Sequence, residues 1–161
     1  MTPRTRHWYL GCALLGCRPS SGLEGLPIQV ITGPDQLVPQ GVVARTEHYD
    51  LQVSAPVECD ASGPSGAARR VGVLVTLQAR GPVQVPANPY YAQLIDAQNV
   101  THDATLSGCT PALSSALLET SQLARGWVNF EVPRGAADFR LAYAPPLTTG
   151  QRLEVTFRLT P

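Results

Sequence analysis

The chain has 161 residues, 43% of them hydrophobic, and its 12 basic residues balance 12 acidic ones, so the formal net charge is zero. All the basic residues are arginine, and they form no basic cluster. This excludes a typical nucleic-acid-binding surface, and we expect no nucleic-acid partner. The length suits one domain with a single core.

The N-terminus has the layout of a secretory signal. Arg4 and Arg6 precede an apolar run from Trp8 to Gly16. Leu14 to Cys17 resemble the lipobox of bacterial lipoproteins, in which the cysteine receives a diacylglyceryl group and becomes the new N-terminus. The resemblance implies a signal peptide over residues 1–16 and a membrane anchor with palmitate-type acylation at Cys17. The run is far shorter than the roughly 20 residues of a spanning helix.

Two other interpretations of this region stay open. The signal could be cleaved without lipidation, or the apolar run could pack on the domain. A cut before Cys12 fits less well, because Tyr9 would stand where lipoboxes prefer leucine.

Residues 17–41 are predicted to be a flexible tether, because glycine and proline recur without any hydrophobic period. The globular domain is predicted over residues 42–161. Its main pattern alternates apolar and polar residues, most clearly from Arg152 to Leu159. The other predicted strands are residues 49–57, 71–77, 90–96, 99–105, 125–132 and 139–143.

These patterns predict an all-β fold, an antiparallel β-sandwich of about seven or eight strands. Only residues 111–120, rich in alanine and leucine, are expected to form a helical turn.

Four segments in this order resemble an uncharacterised family of bacterial secreted and lipid-anchored proteins: RVGVLVTLQA, NPYYAQLIDAQN, ARGWVNFEVPRGAADFRLAY and RLEVTFRL. The resemblance covers Val43 to Leu159 and is most specific at Gly126–Pro133, with Asp96, Gly126 and Trp127 in the expected order. It implies a telokin-like, immunoglobulin-like β-sandwich with no established enzymatic activity. The sequence departs from the family at residues 59–70, which we interpret as an expanded loop.

After removal of the signal and lipidation of Cys17, two cysteines remain, Cys59 and Cys109. An oxidising envelope would allow a disulfide between them, which stabilises by roughly 4 kcal/mol for a loop of this size. The alternative is two separate buried thiols. No CxxC pair and no histidine at ligand spacing accompanies them, so we expect no metal and no cofactor.

Asn88, Tyr90, Tyr91 and Trp127 form the predicted binding surface. The competing interpretation places the first three in a turn and a strand. Trp127 would then lie in the core or on the sheet surface, on the opposite face from Gly126 and its alternate residues.

Asp96, His102 and Asp103 raise the possibility of acid–base or metal chemistry. We expect instead a solvated hairpin that turns at residues 97–99, because no third ligand has suitable spacing. Ser114 and Ser115 lack the GxSxG context of a hydrolase. The sequence therefore predicts no catalytic residue.

Together these features predict a noncatalytic, lipid-anchored cell-envelope protein that binds an envelope protein or glycan, in the periplasm or at the surface. It would contact the membrane through its N-terminal lipid. The alternatives are a small-ligand carrier, marked by an apolar cavity between the sheets, and a metal-dependent envelope enzyme.

Overall fold

The computed structural model describes residues 22–33, 35–60 and 66–160, apart from the side chain of Asp60. Within these residues the chain is all-β, with one short 3₁₀ helix at Pro89–Tyr91. The strands are β1 Ile28–Val30, β2 Leu37–Pro39, β3 Val43–Arg45, β4 Tyr49–Val53, β5 Val57–Asp60, β6 Ala68–Ala79, β7 Val85–Ala87, β8 Ala92–Ile95, β9 Thr101–Thr105, β10 Ala116–Leu118, β11 Leu123–Pro133, β12 Arg140–Tyr143 and β13 Val155–Arg158.

Eleven of these strands form one large sheet in the order β1-β3-β4-β6-β11-β9-β8-β12-β13-β2, with β5 pairing beside β4 along β6. Strand β9 pairs with both β11 and β8 and so joins the two halves. The sheet is nearly closed, because Gln29 Nε2 of β1 at one end donates to the carbonyl of Leu37 in β2 at the other, 3.4 Å away. Strands β7 and β10 form a separate ribbon.

The longest pairing joins β6 and β11, from Gln78 opposite Leu123 to Ala68 opposite Pro133. Alternate residues of both strands face inward, since a strand has a side-chain period of two. Val73, Val128 and Phe130 are fully buried on that side. The intervening residues of β6 and β11 form the outer face, which carries the features described below.

Two buried tyrosines bring polar groups into the core, and both hydroxyls have partners. Tyr49 OH donates to the carbonyl of Leu153 at 2.6 Å, and Tyr143 OH lies 3.3 Å from the carbonyl of Asn88. Burial raises the pKa of both phenols. The paired hydroxyls fix the loops that contain Leu153 and Asn88 against the core.

The predicted strands correspond to β4, β6, β8, β9, β11, β12 and β13. Each differs from the prediction at one or both ends, and two of the predicted segments contain other structure as well. Residues 49–57 are interrupted at Ser54–Pro56 before β5 begins, and Tyr90 and Tyr91 belong to the 3₁₀ helix. The prediction of about seven or eight strands is too low, because the short strands bury at most two side chains each and leave no alternating pattern.

Two predictions are wrong in the described residues. The tether predicted over residues 17–41 contains β1 and β2, which pair in parallel with β3 and β13; Val38 is fully buried there. The helical turn predicted over residues 111–120 contains β10, which pairs with β7. In both segments long-range pairing overrides local composition.

The predicted signal peptide, residues 1–16, and the predicted lipidation site, Cys17, lie outside the described residues. Among the residues that are described, no helix has the length and apolar character needed to cross a membrane.

Candidate functional site

Cys59 and Cys109 form the predicted disulfide, with their Cα atoms 4.8 Å apart. Cys59 lies where the pairing of β5 with β6 shifts register between Glu58 and Asp60, and Cys109 lies in the segment after β9. The bond crosses the outer face above Gly72. A Cβ on Gly72 would be 2.4 Å from Cys59 Sγ and 2.9 Å from Cys109 Sγ, so only glycine leaves room for the disulfide there.

Asn129 lies directly opposite Gly72 and is fully buried although its side chain points outward. Its Oδ1 accepts the N–H of Cys109 at 2.9 Å, and its Nδ2 donates to the carbonyl of Cys109 at 3.2 Å. Gly108 packs so closely that a Cβ there would be 2.7 Å from the Asn129 side chain. We call Cys59, Gly72, Gly108, Cys109 and Asn129 the Asn129 clasp.

Trp127 lies two residues before Asn129 on the same outer face, opposite Leu74 of β6. Both side chains are half-buried. On the other edge, the Trp127 N–H donates to the carbonyl of Pro111 at 2.9 Å, and the Trp127 carbonyl accepts the N–H of Leu113 at 2.8 Å. Trp127 and Leu74, here called the Trp127 face, therefore lie on a backbone fixed on both sides.

Gly126 allows this close approach. A Cβ on Gly126 would be 2.5 Å from the Leu113 Cα and 2.5 Å from its backbone nitrogen. Glycine is thus required for the segment with Pro111 and Leu113 to pair beside β11. This pairing explains why Gly126 precedes the tryptophan.

The other three predicted surface residues do not share the Trp127 face. Asn88 caps the 3₁₀ helix, its Oδ1 accepting the Tyr90 N–H at 2.9 Å. Tyr91 packs toward the core, edge-on to Tyr143 with ring centroids 6.4 Å apart. Tyr90 is 58% exposed. Of the predicted set, Tyr90 is the most exposed, Trp127 and Tyr91 are partly exposed, and Tyr91 alone of these three packs against the core.

The predicted hairpin joins β8 and β9, but Asp96 and His102 are not solvated. Their side chains are 4% and 10% exposed, and His102 Nε2 lies 2.9 Å from Asp96 Oδ2. The other Asp96 oxygen accepts the N–H groups of Gln98 and Val100, both at 2.9 Å. The hydrogen bond from His102, with those two amides, lowers the pKa of Asp96.

The Asp103 side chain points away from this pair, because Asp103 follows His102 on β9 and successive residues of a strand face opposite sides. It is exposed, and Gln93 Nε2 lies 3.4 Å from its Oδ1. In the described part of the chain, no three histidine, cysteine or acidic side chains gather as metal ligands would. The Asp96–His102 pair fixes the hairpin turn, since it satisfies the amides that close it.

The fold is shared with solved bacterial proteins. The YcdA protein of Bacillus subtilis, a candidate lipoprotein, superimposes with a TM-score of 0.57 at 11% identity. The match covers 72% of this chain and 38% of YcdA, so the chain spans well under half the length of that protein. The YjhA protein of the same species gives 0.57 at 14% identity and covers 74% and 97% of the two chains.

The secreted protein MPT63 of Mycobacterium tuberculosis gives a TM-score of 0.49 at 13% identity, covering 71% of this chain and 85% of MPT63. No protein-family model and no curated protein sequence matches the chain. At 11% and 14% identity, the likeness to YcdA and YjhA is one of fold alone.

An apolar recess lies between the layers at one end of the fold, with a volume near 100 Å³. Val71, Phe139 and Leu159 line it together with the Arg69–Glu58 pair. Pockets for drug-sized ligands usually measure about 300–1,000 Å³, so this recess holds only a few non-hydrogen atoms.

The alternating sequence pattern does not indicate the Asn129 clasp. Period two places Asn129 and Gly72 on the outer face, and such positions are expected to be solvated. The signal for it is Gly72, a glycine between two valines within a strand pattern, which indicates close approach of another group.

Proposed function

We propose that this protein is a noncatalytic, lipid-anchored cell-envelope protein with a telokin-like, immunoglobulin-like domain that binds an envelope protein or glycan through the Trp127 face. The supporting observation is the outward, half-exposed Trp127 beside Leu74, on strands hydrogen-bonded along both edges. Tryptophan on a rigid backbone loses little conformational entropy on binding and is enriched among residues that dominate binding energy.

The path of the chain into the domain supports a partner close to the membrane. A Cβ on Gly22 would be 3.9 Å from Arg125 Nη1, and Arg125 lies two residues before Trp127 on the same face. At about 3.5 Å per residue, a lipidated Cys17 lies at most roughly 17 Å from Gly22. The Trp127 face would therefore meet partners within the layer next to the membrane.

The anchor is tested first by mass spectrometry of the mature protein from its native membrane. We expect an N-terminal Cys17 carrying diacylglycerol, with residues 1–16 removed. A mature chain that starts elsewhere without lipid would contradict the anchor and leave the binding proposal to be tested on the soluble domain.

Binding is tested by crosslinking in living cells, followed by identification of attached proteins and glycans. We expect one specific adduct in the native protein. It should be lost in Trp127→Ala and reduced in Cys17→Ala, which frees the domain from the membrane. Glu131→Ala, an exposed change on the same strand, is the control and should keep the adduct. An adduct pattern identical in Trp127→Ala would contradict the proposal.

A further inference from the structure

Two arginines lie directly opposite each other on neighbouring strands. Arg140 of β12 pairs in register with Arg158 of β13, on the face opposite the buried Leu141 and Phe157. Opposed side chains in an antiparallel pair have Cβ atoms about 5 Å apart, and like charges there repel. This arrangement costs stability unless another group neutralises it.

A second arginine pair in the same molecule has such a group. Arg45 and Arg80 share Asp50: Arg45 donates to both carboxylate oxygens at 3.0 and 2.8 Å, and Arg80 lies 3.1 Å from one of them. The Asp50 side chain is 7% exposed. The fold therefore neutralises these two arginines, which lie on either side of β4, with one buried carboxylate.

Arg140 and Arg158 lack this compensation. Among the described residues, neither guanidinium has a carboxylate oxygen within 4.0 Å. Arg140 Nη2 instead donates to Asn99 Oδ1 at 2.6 Å, which orients the guanidinium and leaves its charge unneutralised. Arg158 is exposed on the neighbouring strand.

Both arginines line a cleft of about 440 Å³. Its other walls include Asn99, Asp138 and Thr160. Asp96 also lines the cleft, but its oxygens are engaged by His102 and two backbone amides. Asp138 is thus the carboxylate at the rim that would oppose a bound anion.

We propose that this cleft binds an oxyanion, the phosphate or carboxylate group of a small molecule or lipid headgroup, between Arg140 and Arg158. Guanidinium groups present planar N–H donors that match both oxyanions. A bound oxyanion would neutralise the two guanidinium groups, as Asp50 does for Arg45 and Arg80. The proposal is independent of the Trp127 face.

The test titrates the purified protein with inorganic phosphate or acetate at constant ionic strength and follows amide NMR shifts and the thermal midpoint. We expect saturable shifts at Asn99, Arg140 and Arg158 and a rise in the midpoint. Arg140→Gln and Arg158→Gln should each weaken binding about tenfold, the loss of one charged donor. Arg152→Gln, an exposed arginine outside the cleft, should bind like wild type.

Two controls separate the effect on binding from the effect on folding. Without ligand, Arg158→Gln should have a midpoint no lower than wild type, because it removes a like-charge contact. Asp138→Asn should bind phosphate several-fold more tightly, since it removes the opposing charge. Asp138 has a φ of 53°, and asparagine tolerates that backbone conformation.

Binding to vesicles of phosphatidylglycerol and of phosphatidylcholine shows whether the oxyanion comes from a lipid headgroup or from a soluble molecule. Arginine-dependent binding to the anionic vesicles alone would assign a lipid headgroup, and arginine-dependent binding of phosphate or acetate in solution would assign a soluble ligand. The proposal is overturned if phosphate and acetate have no more effect than chloride at equal ionic strength and the anionic vesicles bind no better than the phosphatidylcholine vesicles, or if Arg140→Gln and Arg158→Gln respond like wild type.

Discussion

The outer face of β6 and β11 has two neighbouring residue pairs with opposite environments. Gly72 and Asn129 are sealed beneath the disulfide, whereas Leu74 and Trp127, the next pair on that face, stay half-exposed. Strand, face and side-chain period are the same at both. The difference comes from what crosses the face, since the disulfide and Gly108 cover one pair. A polar residue is thus more deeply buried than a tryptophan two positions away.

Removal of the disulfide should have the largest effect on this contrast. We expect Cys59→Ala with Cys109→Ala to lose roughly 4 kcal/mol of unfolding free energy, because the cross-link restricts the unfolded chain. Urea unfolding of the double variant beside oxidised wild type measures this loss. Equal stability would show that the segment with Gly108 and Cys109 stays packed on the outer face without the disulfide.

Asn129→Ala should cost about 2 kcal/mol, because the buried N–H and carbonyl of Cys109 would lose their side-chain partner. The matched comparison is Asn129→Asp, which keeps an acceptor for the N–H but places a charge in the same buried position. Both should be less stable than wild type in urea unfolding. A neutral Asn129→Ala variant would refute the structural role of the clasp.

Gly72→Ala should cost about 1–3 kcal/mol, since the added Cβ would overlap Cys59 Sγ and force the disulfide outward. In the Cys59→Ala, Cys109→Ala background the same substitution should cost much less. A double-mutant cycle of unfolding free energies measures this coupling. If Gly72→Ala cost the same with and without the disulfide, the strain would not come from contact with the disulfide.

Trp127→Ala should cost about 1–2 kcal/mol, less than the roughly 3–5 kcal/mol of a fully buried tryptophan, because part of the side chain is already in water. Its expected effect is on binding. Thermal unfolding of Trp127→Ala and Asn129→Ala shows which variant loses more stability. A larger loss for Trp127→Ala would mean that the Trp127 face is part of the core.

The β8–β9 hairpin also has a buried carboxylate, Asp96, and an exposed one, Asp103. We expect the smallest effect on stability there. The folded-state pKa of Asp96 is lowered, so its stabilisation is full above its unfolded pKa of about 3.9 and is lost as the pH falls through the lower folded pKa. His102→Leu removes the main cause of that shift. The variant should be less stable than wild type at pH 7, with the difference shrinking in acid, whereas Asp103→Asn should show no such trend.

The sequence predicted the strands with several alternating residues, such as β6, β11 and β13, because burial of one face imposes a period of two. It also predicted the pairing of Cys59 with Cys109. It could not predict β1 or β2, since Ile31 and Val38 are single buried residues between glycines and prolines.

The environments of Trp127 and Asn129 could not be told apart from sequence either. Both occupy outward positions of one strand, and what buries Asn129 is the segment with Cys109, 20 residues away in the chain. The same limit applies to Asp96 and His102, which were expected to be solvated. Local patterns set the direction of a side chain, and long-range contacts decide whether it is covered.

The most direct test of the Trp127 face places a photo-crosslinking phenylalanine analogue at position 127 or position 131 of the membrane-anchored protein in living cells. Both positions point outward from β11. We expect one discrete adduct from position 127 and none from position 131. Equal adducts from both positions, or none from 127 in a folded and anchored protein, would contradict the assignment of the Trp127 face as the binding surface.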